Sequence, residues 1–184
     1  MVGLVNQGIR DLVVARHGEA AWERIATRAG LEGPAFVTMK GYDDRLTYAL
    51  VGAASEELGL PPAQLLEAFG EHWILYTAER GYGALLDLCG STFVDFLGNL
   101  DALHGRLALS FEGLRPPALS VDGLGEGSFR LVYRSEREGL APMVVGILRG
   151  LAKRFGVVAV VEQVRRREEN GEDEFLVRYA EAAA

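Results

Sequence analysis

His104 sits in NLDALHGRLALSFEGLRPPAL, residues 99–119, where most neighbours are small or aliphatic and a double proline, Pro116 and Pro117, closes the run. A metal site built only from side chains needs three or four ligands, and no second His or Cys stands three or four positions from His104. One imidazole serves a metal only when a cofactor brings the other ligands, as a porphyrin does. The plainer alternative is a core or boundary histidine whose ring N–H bonds a carbonyl, the commoner case by pattern alone. A second cluster follows at Tyr133-Arg134-Ser135-Glu136-Arg137. On a strand, residues two apart share a face, so Tyr133, Ser135 and Arg137 present a phenol, a hydroxyl and a guanidinium in one row. Arginine binds a carboxylate bidentately while hydroxyls donate to its remaining oxygens. Taken alone, the row also reads as a solvated polar strand face. The two clusters together fit haem, which needs one axial imidazole and carries two propionates.

The elements that must position these residues alternate between two periodicities. Apolar residues recur at helical spacing from Gly3 to His17 and over 19–27, with a break at Gly18. After the GLEGPAF loop, Asp43 and Asp44 stand where helix caps belong, ahead of a helix over 45–59. Pro61 and Pro62 open the next, over 63–80; a shorter helix is expected around 84–88 and a long one over 92–111. Beyond Pro117 the pattern becomes period two in ALSVDGL and SFRLVYRSER, with GLGEG as the turn between them. A helix over 141–155 precedes two strand-like runs, with Asn170-Gly171 as a hairpin turn. The expected fold is α+β, in one domain spanning 1–184: a helical N-terminal half, then an antiparallel sheet with one further helix and the cofactor sandwiched between.

Composition narrows the function. Nineteen basic against 26 acidic residues give a net charge of −7, which disfavours nucleic acid and anionic membranes as partners. No window is apolar enough to span a bilayer and no secretory leader is visible, so a cytoplasmic location is expected. The single Cys89 forms no internal disulfide and reads as a small buried hydrophobe. His17 ends a helix, where a cation suits the dipole. His72, about 100° round the helix from Trp73, is expected at the surface or a boundary.

GLVNQGIRDLV, LDALHGRLALSFEGLRPPAL, YRSER and GLAPMVVGILRGLAKRF, in that order, resemble the haem nitric oxide/oxygen-binding (H-NOX) domain across essentially the whole chain. It is similar to the haem domain of soluble guanylate cyclase, in the bacterial stand-alone form. The resemblance implies haem b (iron protoporphyrin IX) as cofactor, with His104 as the proximal iron ligand. It implies Tyr133, Ser135 and Arg137 as the propionate-binding motif, and Pro117 as the proline that presses the porphyrin out of plane. Gly105 then reads as room for the porphyrin or for helix movement. Oxygen-binding members carry a distal tyrosine where this chain has Met143; Val5, Ile9, Trp73 and Leu148 or its neighbour Ile147 fill the other distal positions. Methionine has no hydrogen-bond donor, which O2 needs more than NO or CO does. The implied function is a sensor, not an enzyme, that binds NO and CO at ferrous haem and excludes O2. It signals by release or movement of His104 to a protein in trans: a histidine kinase, a diguanylate cyclase or phosphodiesterase, or a chemotaxis protein. The alternatives are a haem enzyme acting on peroxide or NO, and a haem store.

Overall fold

The computed structural model describes every residue except 32, 34–35, 112–113, 124–126 and 182–184. Helices α1 (Gly3–His17) and α2 (Glu19–Arg28) meet at Gly18, whose φ of 82° turns the chain without Cβ strain. Helix α3 (Asp44–Leu58) starts where Asp43 accepts the Arg45 backbone N–H, satisfying a donor of the first turn. Proline opens α4 (Pro62–His72).

The helix expected over 63–80 does not stay regular. Trp73–Thr77 form a π-helical turn before α5 (Ala78–Asp87), which is kinked at Tyr82. The extra residue in that turn shifts the phase of everything after it. The short helix expected at 84–88 is the end of α5. Thr92 then caps α6 (Phe93–Ser110), accepting the Asp95 backbone N–H at 3.1 Å.

Strands β1 (Ala118–Asp122), β2 (Ser128–Arg134), β3 (Val157–Arg165) and β4 (Asp173–Glu181) form one antiparallel sheet in the order β1-β2-β4-β3. Helix α7 (Ala141–Arg154) connects β2 to β3 and packs on the sheet. The α+β architecture is as expected from the sequence. Of the GLGEG turn, residues 124–126 lie outside the described residues.

Two local expectations are corrected. Strand β2 stops at Arg134, so Ser135 and Arg137 occupy a turn; the Ser135 hydroxyl accepts the Arg137 backbone N–H at 3.1 Å, closing the backbone locally instead of extending the ladder. The connection at Asn170-Gly171 is not a two-residue hairpin turn but a single helical turn, α8 (Arg167–Asn170), terminated by Gly171 at φ 87°. Asp173 fixes it by accepting the Arg167 backbone N–H at 3.1 Å.

Two apolar cores result. Ile9, Leu12, Ile25, Leu50 and Phe69 unite α1 to α4. Phe96, Leu97, Leu131, Leu148, Phe175 and Val177 unite α6, α7 and the inner sheet face. Trp73 packs against both. Helices α4 and α7 touch backbone to backbone at Gly70 and Gly146: a methyl on Gly70 would strike the Met143 carbonyl, and one on Gly146 the Glu67 carbonyl. Among the described residues, no helix is long and apolar enough to cross a membrane.

Candidate functional site

A cavity of about 380 Å³ opens between the two cores. Helix α6 supplies Leu97, Leu100, His104 and Leu107, spaced by three and four and therefore on one helical face. Pro116 and Pro117, on the connector to β1, continue that wall. The Asp101 carboxylate accepts the Leu119 backbone N–H at 2.9 Å and ties α6 to β1. A different set of elements supplies Val5 from α1, Trp73 from the π turn, and Met143, Ile147 and Leu148 from α7. Tyr133, Ser135 and Arg137 line the same cavity, although the last two have left the strand.

The His104 ring is largely buried, and burial pushes its pKa below the ordinary 6.5 against opposing pulls from the Pro117 carbonyl and Asp101. The imidazole is therefore neutral at pH 7, the form a metal ligand requires. Its Nδ1 is buried and closes no hydrogen bond. Among the described residues no three His, Cys, Asp or Glu side chains gather to hold a metal ion. His104 can serve one only through a cofactor that carries its own donors.

Burial also raises the Tyr133 pKa, against opposing pulls from Ser135 and Arg137, so the phenol stays protonated and available as a donor. The Arg137 Nε lies 2.9 Å from Asp44 Oδ2, and its Nη1 donates to the Arg115 carbonyl at 2.8 Å. That Nε is buried and ion-paired with the Asp44 carboxylate. Burial raises the Asp44 carboxyl, but the chain-terminal ammonium of Met1 and the Arg137 guanidinium outweigh it and hold the pKa below the ordinary value. An apolar chamber with a neutral imidazole in its wall and a guanidinium close to two hydroxyls suits a porphyrin bearing carboxylates. The residues present fit haem.

Several expected site residues fall elsewhere. Ile9 does not line this cavity; it lines a smaller one of about 250 Å³ behind it, whose wall also includes Val5, Leu140 and Met143. Gly105 faces open space on the exposed side of α6, because one residue beyond His104 lies about 100° round the helix; it makes no room for a porphyrin. His72 is buried, not at the surface: the π turn follows it, and its ring stacks on Tyr76 at 4.8 Å. It does not line the cavity, whereas Trp73 does.

Among the lining residues that the sequence reading does not assign to the site are two tyrosines, Tyr42 and Tyr82. The Tyr42 hydroxyl accepts the Val37 backbone N–H at 2.9 Å. Tyr82 marks the kink in α5, and its flanking residues in Arg-Gly-Tyr-Gly were the available signal. Cys89 is buried as expected, with its Sγ 3.6 Å from the Leu85 carbonyl.

Comparison with known proteins agrees with this geometry. A family model described as haem-NO-binding matches residues 2–163. Soluble guanylate cyclase gcy-35 of Caenorhabditis elegans is 31% identical over 182 residues, covering 97% of this chain and 26% of that protein. Guanylate cyclase soluble subunit beta-2 of Rattus norvegicus is 37% identical over 91 residues, half of this chain and 13% of that protein. The chain thus spans about a quarter of the length of the curated relatives it matches over most of its extent. In the fold, it is similar to an H-NOX protein from S. oneidensis in the Fe(II)NO ligation state, with a TM-score of 0.87 at 19% identity over 98% of this chain and 99% of that one. An oxygen-binding H-NOX domain related to soluble guanylate cyclases, solved as its oxygen complex, gives 0.81 at 22% over 97% and 94%. The chain belongs to the haem-NO-binding family: it is an H-NOX domain, of the haem-based gas-sensor family related to soluble guanylate cyclase.

Proposed function

We propose that this chain is a sensor that holds haem b through His104 and the Tyr133, Ser135 and Arg137 clamp, takes NO and CO, and discriminates against O2. Bound haem would supply a ferrous iron to which a diatomic gas binds. The single observation that carries the reading is one cavity with a neutral imidazole in its wall and a carboxylate-binding set of side chains. His104 would hold the haem iron through its neutral imidazole, with the Pro117 carbonyl beside the ring. Pro117, with φ locked by its ring, forms a rigid wall beside it. Trp73, Val5 and Met143 crowd the gas-binding side and keep it apolar. Met143 has no donor to favour the more charge-separated O2 complex.

Movement or release of His104 is the signalling event. The imidazole rides on α6, which Asp101 links to β1, so a shift of the ring has a mechanical route to the sheet. A partner protein in trans, such as a histidine kinase, a diguanylate cyclase or phosphodiesterase, or a chemotaxis protein, reads the difference between the two states.

Optical spectra of the reduced protein test the reading. A haem band that shifts with NO and with CO, and is unaltered by air-saturated buffer on the timescale of mixing, is the expected result. Protein that cannot be loaded with haem would sink the reading as a whole; a stable complex in air would remove the part concerning O2.

A further inference from the structure

Two of the three clamp residues, Ser135 and Arg137, are carried on a turn, which has no strand ladder to hold it. Residues 135–138 follow β2, and Gly139, at φ 73°, leads into α7. Two side chains from remote elements reach the carbonyl oxygens of this turn. Arg167, the first residue of α8, donates from Nη1 to the Ser135 carbonyl at 3.3 Å and the Arg137 carbonyl at 2.9 Å. Its Nη2 lies 3.9 Å from Glu138 Oε1. Helix α8 is itself pinned: the buried Asp173 uses one oxygen, Oδ1, to accept both the Arg167 backbone N–H at 3.1 Å and Gln163 Nε2 at 2.8 Å. From the helical half, Tyr48 on α3 donates its hydroxyl to the Glu138 carbonyl at 2.9 Å.

The arrangement is specific to the turn's backbone. Arg167's carboxylate neighbour in the turn, Glu138, is 83% exposed and at the limit of ion-pair range, whereas the two carbonyls it reaches belong to Ser135 and Arg137, whose side chains line the cavity. A forked guanidinium held by its own helix fixes the peptide planes it touches. The aim of a long side chain follows its backbone, and a binding group displaced by about 1 Å loses most of its advantage.

We propose that Arg167 and Tyr48 are positioning residues for the carboxylate clamp: they strap the turn between the β3–β4 connection and α3 so that Ser135 and Arg137 meet the carboxylates of the bound porphyrin. This rests on the haem-sensor reading above. Neither residue lines the main cavity.

The test uses the whole chain loaded with either protohaem or its dimethyl ester, which lacks free carboxylates, and follows transfer of each to excess apomyoglobin. Arg167→Ala is expected to speed loss of the diacid about tenfold, while loss of the diester changes by less than about twofold. Tyr48→Phe is expected to give a smaller change of the same kind, about threefold, and Arg167→Lys, which keeps one donor, an intermediate one. Equal acceleration for both porphyrins, or none for either, would overturn the proposal, since a merely structural role does not distinguish them. Should Arg167→Ala fail to fold, Arg167→Lys and Tyr48→Phe carry the same comparison. Arg137→Ala is the reference: if it shows no preference for the diacid, the clamp itself fails and the strap falls with it. If it does and the strap variants do not, only the strap falls.

Discussion

In the function proposed above, gas discrimination falls to Met143, which lines both the main cavity and the chamber behind it and offers no donor. Met143→Tyr places a phenol there, and the expected outcome is a haem spectrum in air that differs from the deoxygenated one, a difference not expected of the parent protein. An unchanged spectrum would mean that the phenol does not reach the gas, and Tyr82→Phe would then report whether the tyrosine already in the cavity takes part. His72 makes a separate, pH-dependent contribution. Burial holds its pKa below the ordinary 6.5, with Arg16 and Arg80 adding to the shift and Asp11 opposing it. The folded chain therefore keeps the ring neutral while the unfolded chain takes up a proton as pH falls through 6.5. This contribution to stability is full above that pH and is lost progressively below it, toward the folded-state pKa. The thermal midpoint should drop between pH 7 and pH 5, and by less in His72→Gln; an equal drop would remove His72 as the cause. For His104 the spacing alone favours a core histidine, and the Tyr133, Ser135 and Arg137 row with the family resemblance is what points to a cofactor. Tyr42 and Tyr82 were not legible, since nothing in their spacing tells which wall a kinked helix or a loop will face.

The contact of α4 with α7 decides where the gas-binding wall stands, and it depends on two missing methyl groups. Gly146→Ala would drive a Cβ into the Glu67 carbonyl, backbone against backbone, with no flexible side chain to yield. The expected cost is about 1–3 kcal/mol of stability, read as a lower midpoint in urea or heat. Because Met143 and Ile147 ride on the same helix, ligand affinity should change as well; a variant altered in neither respect would show that the helices can separate freely. The π turn at Trp73–Thr77 has the opposite origin. Apolar spacing along 63–80 reads as one helix, and an extra residue in one turn leaves that pattern nearly unaltered while rotating the following side chains. Likewise, period-two alternation through Arg137 continues past the end of β2, because the alternation does not register that Ser135 bonds its own backbone.

At the scale of the whole molecule, the cavity lies between the two cores, with Trp73 packed against both, so filling it should bind the halves together. Haem present at about a thousandfold above its dissociation constant contributes about 4 kcal/mol, which for a chain of this size raises the thermal midpoint by roughly 10 °C. Scanning calorimetry of loaded and haem-depleted protein checks this, and equal midpoints would place the porphyrin outside the shared cavity. The sequence alone determined the helical half, the antiparallel half, the lone imidazole and the order of the Tyr, Ser and Arg residues, because periodicity and residue type are local properties of the chain. The tertiary structure alone decided that Ser135 and Arg137 reach the cavity from a turn, that Ile9 stands behind it and Gly105 outside it, and that Arg167 and Tyr48 hold the turn from elements 30 and 90 residues away. Such contacts depend on the phase and packing of elements remote in the chain, and no window of sequence contains them.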